Sequence, residues 1–482
     1  MLENLFSREK LGASTPKLRS SNFLLIFILV CLLGLLALLG VNSKILAAVI
    51  LIPMVAWAVR LTTRQTIWLL VPLTLIEAVT ASKFLGEDNS LSAFIRYPMV
   101  LLFCAPILPA LWRSGFLRKG GFLAYAIYFL WALVSVSYSP LPYISLGRLA
   151  SSFLPFCAIV AIVSEIRDGE DARRAMGVML LGCGIIVLAN FIGLLLLSGD
   201  AYYSDPETGM DRFTGIFTEP NEIGGLMLAT IGAAFCYWPL AKGYVKALCA
   251  LAALGAVLQG VMADSRSPFV GLAIGGVAYL LWQHGIKSAL MIAALGTLLF
   301  FAIKVLPNGS QYFTRGEVTS ATGRDVAWNF AIHSIEERPI SGYGYEVEGM
   351  IFQNRHFSDW EQVWDQGPRS SVHNGYLARA VGIGVPALLF WLFFMFRPAL
   401  SCFRAGHDPW LLNSIVPLAF APVMILNLTE SISDCRSLSG ILLALSWAIL
   451  ERERLLVSAN ASTHDQSSDP TKSTLVRALT GG

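Results

Sequence analysis

Long apolar runs separated by short polar segments make up most of the chain between residues 22 and 451. Each run holds roughly 15 to 24 residues, the length at which an α-helix crosses a hydrocarbon core of about 30 Å. The runs lie at 22–40, 45–59, 67–80, 97–112, 121–137, 150–164, 174–197, 223–240, 245–262, 268–283, 286–306, 375–396, 411–428 and 437–451. They predict fourteen transmembrane helices, or twelve if two of the short second, third and sixth runs do not span.

The order of these runs predicts an all-α polytopic membrane protein with 12–14 transmembrane helices and one large loop. Its predicted parts are an N-terminal segment over 1–20, helices 1–11 over 21–306, the loop over 307–371, helices 12–14 over 372–451 and a tail over 452–482. The tail becomes polar and aperiodic towards its end, which predicts disorder. A connection as long as the loop is usually functional.

The loop contains local signals of its own. A helix is predicted from Thr322 or Gly323 through Glu337, with Pro339 ending it. The Gly-rich segment SGYGYEVEG over 341–349 predicts a turn.

The distribution of positive charge predicts the orientation. Short segments rich in Lys and Arg stay in the cytoplasm, and in this chain they alternate with segments that are nearly free of them. Both termini are therefore predicted to be cytoplasmic and the large loop periplasmic. The basic residues left on the outer side in short segments are Lys44, Lys83, Arg96, Arg148, Arg212, Arg266 and Arg436.

Composition excludes several classes of protein. With 55% hydrophobic and 14% charged residues and a mean hydropathy of +0.62, the chain is too apolar for a soluble protein of 482 residues. A net charge of +3 creates no strong positive electrostatic field that would attract a polyanion, so no nucleic acid partner is expected. Most of the eight cysteines lie in apolar runs without metal-ligand spacing, and we expect them to fill the core.

Three arginines near the outer ends of spans are candidates for binding an anion. They are Arg212, Arg266 and Arg324. Guanidinium groups make bidentate bonds to phosphate oxygens, which suits a diphosphate at the membrane surface without a metal. The alternative is that each arginine reaches lipid headgroups or pairs with a local acid. Those acids are Asp211, Asp264 and Asp325.

His373 stands at the junction between the loop and the next span and is a candidate general base, because imidazole exchanges protons near neutral pH. Its alternative role is to cap that helix. Glu430, at the outer end of the thirteenth span, is positioned to orient an arginine or to bind a sugar hydroxyl, and Asn221 and Asn374 are supporting candidates. Glu77, an acid inside an apolar run, favours a transporter instead.

Four segments in this order resemble the bacterial O-antigen ligase and O-antigen polymerase family. They are RFTGIFTEPNEIGGLML (212–228), DSRSPFVGL (264–272), TGRDVAWNFAIHSIEERPISGYGY (322–345) and HNGYLARAVGIGV (373–385). The similarity covers about 212–385, and the first 200 residues match only as generic spans.

The resemblance implies a GT-C-like glycosyltransferase of the bacterial inner membrane, acting at the periplasmic face on a glycan carried by undecaprenyl pyrophosphate. It implies that Arg212 and Arg266 bind the pyrophosphate, that Arg324 contacts donor or acceptor, and that His373 is essential. The acceptor glycolipid is then a lipid-linked repeat, for a polymerase, or lipid A core, for a ligase. Fourteen spans rather than the ligases' usual twelve favour the polymerase, and neither metal nor other cofactor is expected.

A different class of function uses the same outward arginines. A transporter or flippase of lipid-linked oligosaccharide would also bind a diphosphate, but its polar residues should lie near the membrane midplane and it would not need His373.

For the enzyme, we expect one direct displacement that inverts the anomeric carbon.

Overall fold

Helices form almost all of the regular structure in the computed structural model. It describes residues 66–81, 111–112, 115–196, 201–204, 211–284, 324–349, 372–403, 408–432 and 435–467, with the single residues 108, 199, 287, 290 and 351. The chain divides into two units, 1–50 and 51–482, and every element below belongs to the second. The predicted spans at 22–40 and 45–59, and most of those at 97–112 and 286–306, lie outside the described residues.

The described elements follow the apolar pattern of the sequence. They are α1 (Leu70–Thr80, after a 3-10 turn at Thr66–Leu69), α2 (Gly120–Val136), α3 (Pro142–Glu165), α4 (Gly169–Leu196), β1 (Tyr202–Ser204), β2 (Asp211–Phe213), α5 (Pro220–Tyr237), α6 (Tyr244–Met262), α7 (Ser267–His284), α8 (Arg324–Glu337), α9 (Gly375–Ile383), α10 (Val385–Ser401), a π-helix (Leu411–Phe420), α11 (Ala421–Leu426) and α12 (Leu438–Ser467).

Three of these helices are long and apolar enough to cross a membrane: α3, α4 and α6. Shorter apolar helices accompany them, and the chain is a helical membrane protein. The helix predicted inside the loop is confirmed as α8, and the Gly-rich segment after it forms a turn.

The structure corrects the predicted elements at three places. The apolar run 375–396 is not one helix, because Gly384 at φ 87° separates α9 from α10. Helix α12 continues to Ser467, so residues 452–467 are helical rather than disordered; Glu451 at their start is buried and paired with Arg454. Strands β1 and β2 form a short antiparallel ribbon that the all-α prediction did not contain.

Helix α5 lies at the centre of the core. It packs against α4, α6, the π-helix and α12, and its residues from Ile223 to Thr230 are buried. Glycines allow close approach here, since a Cβ at Gly232 would stand 2.7 Å from the carbonyl oxygen of Leu418. Small residues at helix contacts are the usual device for bringing membrane helices together.

A second, smaller apolar cluster joins the loop to the helices. Phe330 and Ala331 of α8, Tyr343 and Val347 of the turn, and Val381 of α9 are buried against one another. The backbone adds hydrogen bonds from Tyr343 N to the Val381 carbonyl and from Gly344 N to the Gly382 carbonyl. The loop is therefore fixed onto α9, the helix that begins two residues after His373.

Candidate active site

The β-ribbon presents Arg212. Its Nε donates to the carbonyl of Ala263 at 3.1 Å, and an Nη atom lies 3.5 Å from Oδ1 of Asn221. These contacts connect β2 to the turn after α6 and to the first turn of α5. Its neighbour Asp211 accepts a hydrogen bond from Ser204.

The segment that follows Arg212 is anchored to two membrane helices. Asn190 of α4 accepts a hydrogen bond from the Ile216 amide at 3.0 Å and donates to Gln259 of α6, also at 3.0 Å. Gly215 has φ 57° and no space for a Cβ, which would lie 2.5 Å from Asn190. A buried, satisfied amide pair of this kind fixes the backbone that carries Arg212.

Arg266 lies in the tight turn between α6 and α7. Its Nε and Nη2 bond the two carboxylate oxygens of Asp264 at 3.0 and 3.2 Å, so the predicted alternative of a local acid partner occurs for this arginine. Asp264 has φ 48°, a conformation that Asp tolerates better than most residues. The turn sits directly on α5, where a Cβ on Gly224 would reach 2.3 Å from the Ser265 hydroxyl.

His373 does not cap α9; Asn374 does. The Asn374 Oδ1 accepts from the amides of Tyr376 and Leu377 at 3.0 and 3.1 Å, so this side chain positions the helix instead of reaching outward. His373 has φ 49°, and such left-handed backbone at a non-glycine residue is a form of strain that clusters at functional sites. The Gly375 amide is bonded to the carbonyls of Asn427 and Glu430.

Glu430 joins the candidates into one site. Its Oε2 lies 3.4 Å from Nδ1 of His373 and accepts from Nδ2 of Asn221 at 3.3 Å. His373, Glu430, Asn221 and Arg212 thus form a continuous row of contacts, while Arg266 lies in the turn to which Arg212 is bonded. Both His373 and Glu430 side chains are about one-fifth exposed, so a substrate can reach them.

This arrangement supports acid–base chemistry. A proton on Nδ1 that faces the Glu430 carboxylate leaves the lone pair of His373 on Nε2, which is the form a general base requires. Guanidinium groups on the other side of Glu430 provide positive charge for an anion. No group of three or more potential metal ligands occurs in the described part of the chain.

The position of Arg324 agrees with the predicted start of the loop helix, since it is the first residue of α8. Its side chain lies outside the described residues, as do residues 307–323 and 352–371 of the loop. Glu77, the acid that favoured a transporter, is buried in α1.

Residues 247–392 match the family model described as O-antigen ligase. They include Arg266, Arg324, His373 and Asn374. This match supports the similarity of the chain to the O-antigen ligase-related family. No curated protein matches the chain.

The match agrees with the resemblance seen in the motifs. It indicates a function of the O-antigen ligase or polymerase type in surface polysaccharide synthesis. Three members of the site, Arg212, Asn221 and Glu430, lie outside the matched O-antigen ligase segment and are joined to it by the contacts above.

Sequence reasoning missed a second polar cluster beside the candidate site. Arg436 forms an ion pair with the Glu346 carboxylate, and Arg148 donates to the Glu346 carbonyl. Arg379 stacks on the Trp391 ring, with 4.1 Å between Cζ and the ring centroid, and Glu348 is buried nearby. The only sequence signal was a pair of acids two residues apart in a Gly-rich turn, which does not by itself indicate burial.

Proposed function

We propose that this protein is a glycosyltransferase that transfers a glycan from undecaprenyl pyrophosphate to a sugar hydroxyl at the periplasmic face of the inner membrane. The row from His373 through Glu430 and Asn221 to Arg212 supports the proposal, because an imidazole and a guanidinium lie on either side of one carboxylate.

In the proposed reaction the acceptor hydroxyl gives its proton to Nε2 of His373 while its oxygen forms a bond to the anomeric carbon of the donor. The bond from that carbon to the diphosphate oxygen breaks, and its electron pair leaves with undecaprenyl pyrophosphate. Arg212 and Arg266 stabilise the charge that builds on the diphosphate. One displacement of this kind inverts the anomeric carbon and needs no covalent intermediate.

Glu430 has a supporting role in this scheme. Its carboxylate holds the His373 ring in one orientation and stabilises the imidazolium that forms when the proton arrives. Arg266 changes partners, because a diphosphate oxygen replaces Asp264 in its bidentate bond. Arg324, at the start of the loop helix, contacts the donor or the acceptor.

The test is glycan transfer in proteoliposomes that contain the purified protein and an undecaprenyl-pyrophosphate-linked repeat, with EDTA present. Lipid A core and a second lipid-linked repeat are offered separately as acceptors. We expect wild-type transfer to one of them, and losses of about 10²- to 10⁴-fold in His373→Ala and Arg266→Ala. The matched control is His333→Ala, because that histidine is more than half exposed on α8.

Elongation of the lipid-linked repeat identifies a polymerase, which the number of predicted spans favours, and transfer to lipid A core identifies a ligase. Full activity of His373→Ala would overturn the assignment of the base. The absence of any new glycosidic bond with either acceptor would move the transporter or flippase of lipid-linked oligosaccharide to the front. Transfer that occurs without EDTA but is lost when EDTA is present would show that a metal is required.

A further inference from the structure

A half-open cavity lies between the Gly-rich turn, α2, α9 and the segment after Glu430. Its space, counted out to the open mouth and the solvent there, is about 330 Å³. Tyr128, Tyr345, Glu348, Arg379 and Ser431 are among the residues that line it.

The cavity shares a wall with the candidate active site. Ser431 lines the cavity and also accepts the Asn374 amide at 3.2 Å, next to His373. Gly375 lines it as well, and its amide donates to the Glu430 carbonyl at 3.1 Å. A group bound in this cavity would therefore stand beside the His373–Glu430 pair.

Glu348 lines this cavity with a buried carboxylate oxygen that the fold does not satisfy. Glu348 is only 8% exposed, and its Oε2 atom has no hydrogen-bond partner among the described residues. A buried polar atom without a partner costs free energy, and native proteins keep few of them. Burial raises the pKa of the Glu348 carboxyl, with the nearby Glu346 carboxylate adding to the effect and Arg148 opposing it.

The charged neighbours are already engaged, which restricts what the cavity can bind. Arg436 is paired with the Glu346 carboxylate. Arg379 donates to the carbonyls of Gly375 and Ile432 while it stacks on Trp391. The remaining chemistry is that of a carboxyl group, which in its protonated form both donates and accepts a hydrogen bond. An alcohol has the complementary pair of functions, whereas a phosphate does not.

We infer that this cavity is the acceptor subsite of the enzyme and that Glu348 binds a hydroxyl group of the acceptor sugar. The inference rests on the proposed function and adds to it a residue that selects the acceptor. The donor diphosphate binds at Arg212 and Arg266, and the two substrates meet at His373 from opposite sides of Glu430.

The experiment measures transfer at varied acceptor and fixed donor concentration, and then the reverse, for wild type, Glu348→Ala and Glu348→Gln. We expect Glu348→Ala to raise the acceptor KM about tenfold, as for loss of one buried hydrogen bond, with kcat and donor KM within about twofold of wild type. Glu348→Gln keeps a donor and an acceptor and should recover most of the affinity. Glu336→Ala, at an exposed acid of α8, is the control.

A binding measurement without turnover separates this inference from the proposed function. Radiolabelled lipid A core and lipid-linked repeat are each titrated into His373→Ala and into His373→Ala/Glu348→Ala in micelles, with undecaprenyl pyrophosphate as the donor-site probe. Weaker acceptor binding in the double variant, with equal binding of undecaprenyl pyrophosphate, supports the subsite.

Equal acceptor binding in the two variants, or a parallel loss of undecaprenyl pyrophosphate binding, overturns the acceptor subsite while the transfer assay can still uphold the enzyme. No binding of either acceptor to wild type would overturn both. If Glu348→Ala unfolds on purification, Glu348→Leu takes its place, and an unchanged acceptor KM in Glu348→Leu with the melting temperature of wild type would exclude the role.

Discussion

His373 and Glu430 stand in contact although 57 residues separate them along the chain. The left-handed backbone at His373 turns the chain so that the ring faces Glu430 while the next residue caps α9. Adjacent residues therefore orient the ring of the proposed base and begin the helix.

Glu430 should act on catalysis through His373. We expect Glu430→Gln to lower kcat about tenfold and Glu430→Ala about a hundredfold, because the amide keeps an acceptor for Nδ1 but loses the charge that stabilises the imidazolium. Steady-state transfer rates at varied donor and acceptor concentration provide the measurement. A rise confined to the donor KM would instead show that Glu430 acts through Asn221 and Arg212.

Glu348 should make stability depend on pH in a defined direction. Its pKa is raised above the ordinary value of 4.5, so the folded protein holds a proton that the unfolded chain releases. The contribution to stability is complete below that value and is lost as the pH rises through the folded pKa. We expect the melting temperature of Glu348→Gln in detergent to fall less than that of wild type between pH 4.5 and about pH 8.

The control for this comparison is Glu336→Gln, at an exposed side chain. Its melting temperature should follow wild type at every pH. If Glu348→Gln also follows wild type, the buried carboxyl does not hold a proton in the folded state.

At the scale of elements, the break at Gly384 decides how the loop meets the membrane helices. A Cβ there would lie 2.0 Å from the Ile340 carbonyl oxygen, and φ is 87°. We expect Gly384→Ala to lower the free energy of unfolding by at least about 2 kcal/mol. Gly276→Ala in α7, where a Cβ meets nothing within 4 Å, should change it by less than about 1 kcal/mol. Thermal or denaturant unfolding in micelles measures both; equal effects would contradict this role.

The helices could be predicted because apolar composition alone decides them. Helices α2 and α6 begin and end within one residue of the apolar runs at 121–137 and 245–262. The break at Gly384 could not, because apolar residues flank it on both sides and only the approach of Ile340 requires it. The ribbon of β1 and β2 consists of three-residue strands, too short for any alternation to appear.

The candidate site, too, could be predicted from the sequence only in part. Arg212, Arg266 and His373 could be chosen from the sequence, because charge on the outer side of a span is unusual. Their partners could not, since the contacts of Glu430 with Asn221 and His373 join three segments distant in sequence. Glu348 was not foreseen because nothing in the Gly-rich turn indicates that one of its acids is buried.

For the whole molecule, orientation in the membrane is the prediction that remains to be tested. Ile340, in the loop, and Tyr244, at the start of α6, are both strongly exposed. We expect a membrane-impermeant maleimide to label Ile340→Cys but not Tyr244→Cys in spheroplasts, and both after the membrane is permeabilised. The unsubstituted protein measures background labelling of its own cysteines. The reverse pattern would place the site in the cytoplasm.

The contacts of Arg212, Asn221 and Glu430 cross both ends of the matched segment 247–392. That segment therefore does not contain the whole candidate site. A chimera that moved it into a distant relative would transfer the proposed base, His373, without its contact Glu430, unless the host supplied an equivalent carboxylate at the same place. To transfer the acceptor preference of one relative to another, the segment around Glu430 should have to be exchanged together with the loop.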